Sequence, residues 1–132
     1  MLLPDPRPAP PDAAELARLD ALFRGVADPT RIRLLNMLAA GELCVCDLVD
    51  LTGLPQPTVS RHLAYLRRSG LVVVTRGWKF AHYRLADPAE PAKAVHAALL
   101  ALIHEALDRT PSLAAERAAA AAASMVRLAT PC

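Results

Sequence analysis

Two clusters in this 132-residue sequence carry side chains able to do chemistry. The first is Cys44-Val45-Cys46, two thiols within three residues. Thiolates take soft, thiophilic ions rather than magnesium or calcium. Residues two apart on a regular helix diverge by about 200°, so both thiols reach one ion only if Cys44 lies in the lead-in to a helix and Cys46 in its first turn. The positive helix terminus favours thiolate there as well. The alternative is a pair of small buried hydrophobes, with Cys44 leaning on Leu48. Cys132 is the remaining thiol. Three cysteines are too few and too oddly counted for a disulfide scaffold, so in a reducing compartment they are free thiols, ligands or core residues.

The second cluster runs from Gln56 to Arg68. At 100° per residue, Val59, His62, Leu63 and Leu66 fall on one side of a helix. Pro57, Ser60, Arg61, Ala64, Tyr65 and Arg68 fall on the other. The first side packs and the second faces out. An outer face with two arginines, hydroxyls and a small alanine, opening at Gln56 and Thr58, suits a DNA major groove. Arginine forks onto guanine and glutamine onto adenine, while hydroxyls and amides at the helix start hold phosphate. Arg76 and Lys79 follow at the tip of a turn, placed for flanking phosphates or a minor groove.

Charge is segregated in the same way. Residues 51–86 hold Arg61, Arg67, Arg68, Arg76, Lys79 and Arg84 and no acid, a local +6. The rest has nine basic residues against thirteen acidic, a balance of −4 within a formal net charge of +2. Such asymmetry is a footprint of polyanion binding. The plain alternative is a solvated basic face.

These residues must be positioned by a fold, and its elements are legible. The chain has one domain's worth of length, and 54% hydrophobic with 21% charged residues suit a globular, mostly helical protein. Five prolines within residues 1–11 imply a disordered, unpacked arm. Asp12 caps a helix carrying Leu16, Leu19, Leu22 and Phe23 and ending near Gly25. Asp28-Pro29-Thr30 opens a second, with Ile32, Leu35 and Leu38 on one face and Gly41 as its stop. A short helix over 47–51 ends at Gly53, and another over 56–69 ends at Gly70. Residues 71–75 and 80–85, joined by Arg76-Gly77-Trp78-Lys79, form a β-hairpin. Pro88 and Pro91 open a long helix with Leu99, Leu102, Ile103 and Leu107, closing before Pro111. Residues 112–128, with six consecutive alanines, form a last helix with little side chain to bury.

The expected fold is mainly α with a β-hairpin: a winged helix-turn-helix of about five to six helices. Residues 12–110 make the DNA-binding and dimerisation domain, and 111–132 an Ala-rich helix and tail. Leu16, Leu19, Leu22, Leu99, Leu102 and Ile103 offer more apolar surface than so small a shell hides, which places a homodimer contact there. Stretches such as 94–103, interrupted by His96, reach about half the roughly 20 residues of a membrane span. The N-terminus lacks the basic-then-apolar order of a secretory signal, so a cytoplasmic protein with no membrane partner is expected.

Three segments in order, Ala27-Asp28-Pro29-Thr30-Arg31-Ile32-Arg33-Leu34-Leu35, Glu42-Leu43-Cys44-Val45-Cys46-Asp47-Leu48 and Gln56-Pro57-Thr58-Val59-Ser60-Arg61-His62-Leu63, resemble the ArsR/SmtB family of metal-responsive transcriptional repressors. The resemblance spans about residues 13–110. It implies a homodimeric repressor on double-stranded operator DNA, joined through its first and last family helices and released by an inducer. The Glu-Leu-Cys-Val-Cys-Asp-Leu segment resembles the box of arsenic(III), antimony(III), cadmium and lead sensors, which implies Cys44 and Cys46 as inducer ligands. The arsenic pattern commonly has another cysteine where this chain has Val49. A three-thiolate site is thus one ligand short, to be completed by Cys132 from either chain, by solvent, or by an organic group already on arsenic, as in methylarsenite. His96 and His104 do not match the family's zinc sites and are expected to be satisfied interface histidines. His62 is expected to pack or to contact phosphate, and Trp78 and Phe80 to pack the hairpin.

No catalytic residues are expected. Gly-x-Ser-x-Gly, P-loop and dinucleotide fingerprints are absent from the sequence, and Cys-x-Cys lacks thioredoxin-like spacing. The competing functions are a thiol redox-sensing repressor, a cadmium, lead or zinc sensor on the same fold, and a cytosolic metal buffer with no DNA role.

Overall fold

Two aspartates start the helical scaffold. In the computed structural model, Asp12 accepts the Ala14 and Glu15 amides at 2.7 and 3.1 Å and opens α1, Ala13–Val26. Asp28 accepts those of Thr30 and Arg31 at 2.8 and 3.1 Å and opens α2, Pro29–Ala39, whose first residue is the proline that needs no amide partner. The structure describes residues 3–77, 81–87 and 94–129, with side chains up to 126. Residues 3–12 are exposed and precede α1 without a helix or strand.

After α2 come β1, Leu43–Cys44, and α3, Val45–Thr52. Gly53, at φ +70°, ends α3 in the left-handed conformation that glycine adopts without a Cβ penalty. Then follow α4, Gln56–Arg68, and the hairpin of β2, Val72–Arg76, and β3, Ala81–Leu85. The chain closes with α5, Ala94–Asp108, a 3₁₀ turn, Pro111–Leu113, and α6, Ala114–Ala129. Helix-turn-helix and hairpin thus stand where the sequence places them. Trp78, Phe80, Pro88 and Pro91 lie outside the described residues.

The sheet is larger than the expected hairpin. Its order is β1-β3-β2, all antiparallel, with Val72↔Leu85 through Arg76↔Ala81 in the hairpin and Leu43↔Tyr83 and Cys44↔His82 added by β1. A two-residue strand has no alternation to read, which is why sequence pattern missed it.

One cluster joins all layers: Leu34, Leu35, Met37 and Leu38 of α2 meet Leu43, Leu48, Val59, Leu63, Leu66, Leu71 and Val72. Leu22 and Leu99 also belong to it, at 2% and 9% exposure, which corrects their placement at a dimer contact. They fill the protomer's own core and leave almost no surface for a partner. Ile103 and Leu19 are half-buried.

Helix α6 is docked more firmly than its alanines imply. Ala120 is fully buried, and polar contacts hold the rest. Arg33 of α2 pairs with Glu116 at 2.6 Å and donates to the Thr52 carbonyl at 3.3 Å. Asn36, fully buried, donates to the Leu113 carbonyl and accepts from Arg117 Nε, both at 3.0 Å, while Arg117 also pairs with Asp108. Ser124 donates to the Glu42 carbonyl at 2.9 Å, tying α6 to the residue just before β1.

Candidate nucleic-acid interface and thiol site

Helix α4 is seated by Val59, Leu63 and Leu66, each fully buried. Burial of each such side chain stabilises the seat by about 1.5–3 kcal/mol. No side chain caps the helix; the Pro55 carbonyl accepts the Thr58 and Val59 amides at 3.0 and 3.1 Å. Gln56, Arg61 and Arg68 are exposed, and Thr58 and Ser60 half-buried, so one face presents an amide, two guanidinia and two hydroxyls to solvent. Arg67 of α4, Arg76 of β2 and Arg84 of β3 are exposed as well. Lys79 lies outside the described residues.

Tyr65 departs from its expected place on the outward face. It is half-buried, and the Arg31 guanidinium lies 4.1 Å from its ring centroid. His62 packs inward, its Nδ1 3.3 Å from Arg31 Nη1 and 3.9 Å from Asp28 Oδ1. Burial pushes the Asp28 carboxyl up, but the Arg31 and Thr30 amides and the charges of Arg31 and His62 outweigh it and hold it below the usual carboxylate range.

The two thiols straddle the start of α3. Cys44 is the N-cap of α3, extended at φ −82°, ψ 164°, and fully buried. Cys46 is in the first turn and half-buried. The Cys44 sulfur accepts the Asp47 amide at 3.4 Å and lies 3.2 Å from Asp47 Oδ2, which also accepts the Cys44 backbone amide at 3.2 Å. This is a capping box with cysteine in the place usually held by serine or threonine. Sequence reasoning passed over Asp47; its signal is an acid three residues after a sulfur-bearing cap. His82, opposite Cys44 on β3, was also missed, because the pairing depends on the unforeseen strand β1.

Val49, where a third thiol would stand, packs against the core. Among the described residues no three His, Cys, Asp or Glu side chains are assembled for a metal ion. Cys132 lies outside them. His96 and His104 on α5 are half-buried, and His96 Nδ1 has no hydrogen-bond partner among the described residues. No described helix is long and apolar enough to cross a membrane.

A helix seated on its neighbours with polar residues outward, a tight turn before it and a basic hairpin after it define the winged helix-turn-helix class. The profile of the bacterial regulatory protein arsR family matches residues 28–74. An arsenical resistance operon repressor of Escherichia coli (strain K12) is 47% identical over 77 residues, covering 56% of this chain and 66%, just under two thirds, of its own length. The AntR antimony-specific transcriptional repressor is 32% identical in its crystal structure, with a TM-score of 0.52 over 83% of this chain and 100% of that one. The homodimeric winged helix-turn-helix domain Mb0332 of Mycobacterium bovis superposes with a TM-score of 0.63 at 28% identity, over 79% of this chain and 93% of that one. The chain belongs to the ArsR family of bacterial regulatory proteins.

Proposed function

We propose that this chain is a cytoplasmic, metalloid-responsive transcriptional repressor that binds operator DNA as a homodimer and leaves it when trivalent arsenic or antimony binds Cys44 and Cys46. The observation that carries the reading is Cys44 as the N-cap of α3, the first helix of the pair that presents α4. An ion gripping that cap acts on the element that aims the reading helix. The names of the arsenical and antimony repressors among its relatives support the inducer class.

In this reading Gln56, Ser60 and Arg61 meet base edges, while Thr58, Arg68, Arg76, Lys79 and Arg84 hold phosphate. Tyr65 supports the helix rather than reading bases. The dimer contact is carried by apolar residues left exposed on α1 and α5, namely Leu16, Phe23, Val95 and Leu102 at 50–63% exposure, with Leu19 and Ile103 at its edge. The homodimeric Mb0332 domain supports a two-fold assembly.

Two thiols suit an arsenical that asks for two sulfur ligands, the third position being filled by hydroxide, by a carbon substituent as in methylarsenite, or by Cys132. The inducer replaces the thiol protons, and for arsenite the leaving groups are water. The deciding experiment titrates arsenite, methylarsenite, antimonite, cadmium, lead and zinc into the protein bound to its own promoter DNA. Release by a trivalent metalloid that is lost in Cys44→Ser and Cys46→Ser, with DNA binding retained, is the expected result. Release by cadmium or zinc at far lower concentration than by any metalloid defeats the reading.

A further inference from the structure

Arg31 sits where three helices meet. Its Nε donates to the Gly25 carbonyl at 2.9 Å and its Nη2 to the Arg24 carbonyl at 2.8 Å. Both carbonyls belong to the last turn of α1, and that of Arg24 also accepts the Ala27 amide at 3.3 Å. The third guanidinium nitrogen, Nη1, lies 3.3 Å from His62 Nδ1, and the cation lies 4.1 Å from the Tyr65 ring centroid. Both partners are on α4. The backbone amide of Arg31 is held by the Asp28 cap at 3.1 Å, so the side chain starts from a fixed point on α2.

We propose that Arg31 is a positioning residue for DNA reading: it joins α4 to α1 and α2 through Tyr65 and His62, and so sets how Gln56, Ser60 and Arg61 meet the bases. The inference rests on the reading of α4 as the DNA-reading helix. The apolar seat of Val59, Leu63 and Leu66 supplies attachment without direction, since aliphatic packing is non-directional. A planar guanidinium with all three nitrogens engaged and a ring against it is directional. Lysine offers one ammonium point charge and cannot keep the fork to two carbonyls, the imidazole and the ring together. The same clamp adds a directional link between α4 and α1, which exposes Leu16 and Phe23 and shares the core with α4 through Leu22, so a shift of α1 bears on the reading helix partly through this side chain.

The test uses the full chain, the footprinted duplex from its own promoter and a shuffled duplex of the same composition. The ratio of the two affinities is measured for wild type, Arg31→Lys, Tyr65→Leu, the double variant and Arg61→Ala. We expect the ratio to fall about tenfold in Arg31→Lys and in Tyr65→Leu, the scale of a partly desolvated cation–π contact. The double variant should lose no more than either single one, since both break one coupling. Rescue of Tyr65→Leu by Tyr65→Phe, which keeps the ring, completes the expected pattern. A wild-type ratio in Arg31→Lys, even with a lowered melting temperature, assigns Arg31 to stability alone and overturns the proposal. Fully additive losses overturn it too. If Arg61→Ala keeps the wild-type ratio, the reading of α4 itself fails, and the proposal with it.

Discussion

Cys44 and His82 stand opposite one another across the β1–β3 ladder, so the residue that caps α3 is also a rung of the sheet that carries the wing. Directly opposed residues keep their Cβ atoms about 4.5–5.5 Å apart and share a face of the sheet. In the proposed reading, an inducer that draws Cys44 toward Cys46 strains two elements together: α3, which leads into α4, and β3, whose neighbour β2 ends at Arg76. The expected outcome is faster amide hydrogen exchange in residues 81–85 when arsenite is added to the DNA-free protein. Cys44→Ser should show no such change. Equal exchange with and without arsenite in the wild type would mean that release is signalled through α3 alone.

Asp28 gives a pH dependence whose sign is set. Its carboxyl is held below the usual value of 3.8 in the folded chain: burial raises it, and the amides of Arg31 and Thr30 and the neighbouring positive charges more than offset that. A depressed folded pKa contributes stability that is present above the unfolded value and lost as pH falls through the folded one. Asp28→Ala should cost about 1 kcal/mol near neutrality, the usual scale of an N-cap. Denaturant unfolding of both proteins should show this gap narrowing in acid below about pH 4, the ordinary carboxylate range. A gap that stays constant down to pH 2 would place its origin in packing rather than charge.

Glu116 bears on how α6 is held. Its pair with Arg33 is about a quarter to a third exposed, and Arg33 also reaches the Thr52 carbonyl at the end of α3. The Glu116 hydrogen bonds raise the Arg33 pKa against a smaller opposing effect of burial. After discounting for solvent screening, Glu116→Gln should cost about 1 kcal/mol. Its signature should be local, with faster exchange along α6 and at the Ser124–Glu42 contact, and α4 unchanged. Uniformly faster exchange through α4 as well would make α6 part of the global cooperative unit.

Much of this was legible in the sequence, for physical reasons that differ by element. Asp12 and Asp28-Pro29 announce helix starts through local capping chemistry, and Gly53 marks a stop through its positive φ, so α1, α2 and the end of α3 could be read from single residues. The inward and outward faces of α4 follow from periodicity, which placed Val59, Leu63 and Leu66 correctly. Periodicity fails where a third party intervenes. Tyr65 lies on the polar arc of α4, yet Arg31, 34 positions earlier, covers it. Leu22 and Leu99 sit on apolar stripes without any local mark separating core from interface; the packing of the other elements decides it. The strand β1 owes its two paired residues to β3, nearly forty positions on, and no local pattern encodes that.

Val49 offers the most direct test of which inducer the thiol site takes. It lies three residues after Cys46 on α3, so the two share a helix face one turn apart, and Cys44 caps the same end. Cysteine is smaller than valine, so Val49→Cys adds a thiol without overpacking the core that Val49 contacts. Three thiolates satisfy arsenite through sulfur alone, whereas methylarsenite already carries one carbon bond and gains nothing from a third. Val49→Cys should therefore lower the arsenite concentration that releases DNA by tenfold or more, on the order of one added soft ligand, and leave the methylarsenite response near wild type. Should the wild type already respond to both equally, and lose only its arsenite response in Cys132→Ser, then Cys132 supplies the third thiol and Val49→Cys should restore that loss. An unchanged arsenite response in Val49→Cys, with the new thiol shown reactive to alkylation, would mean that the inducer does not sit against this face of α3.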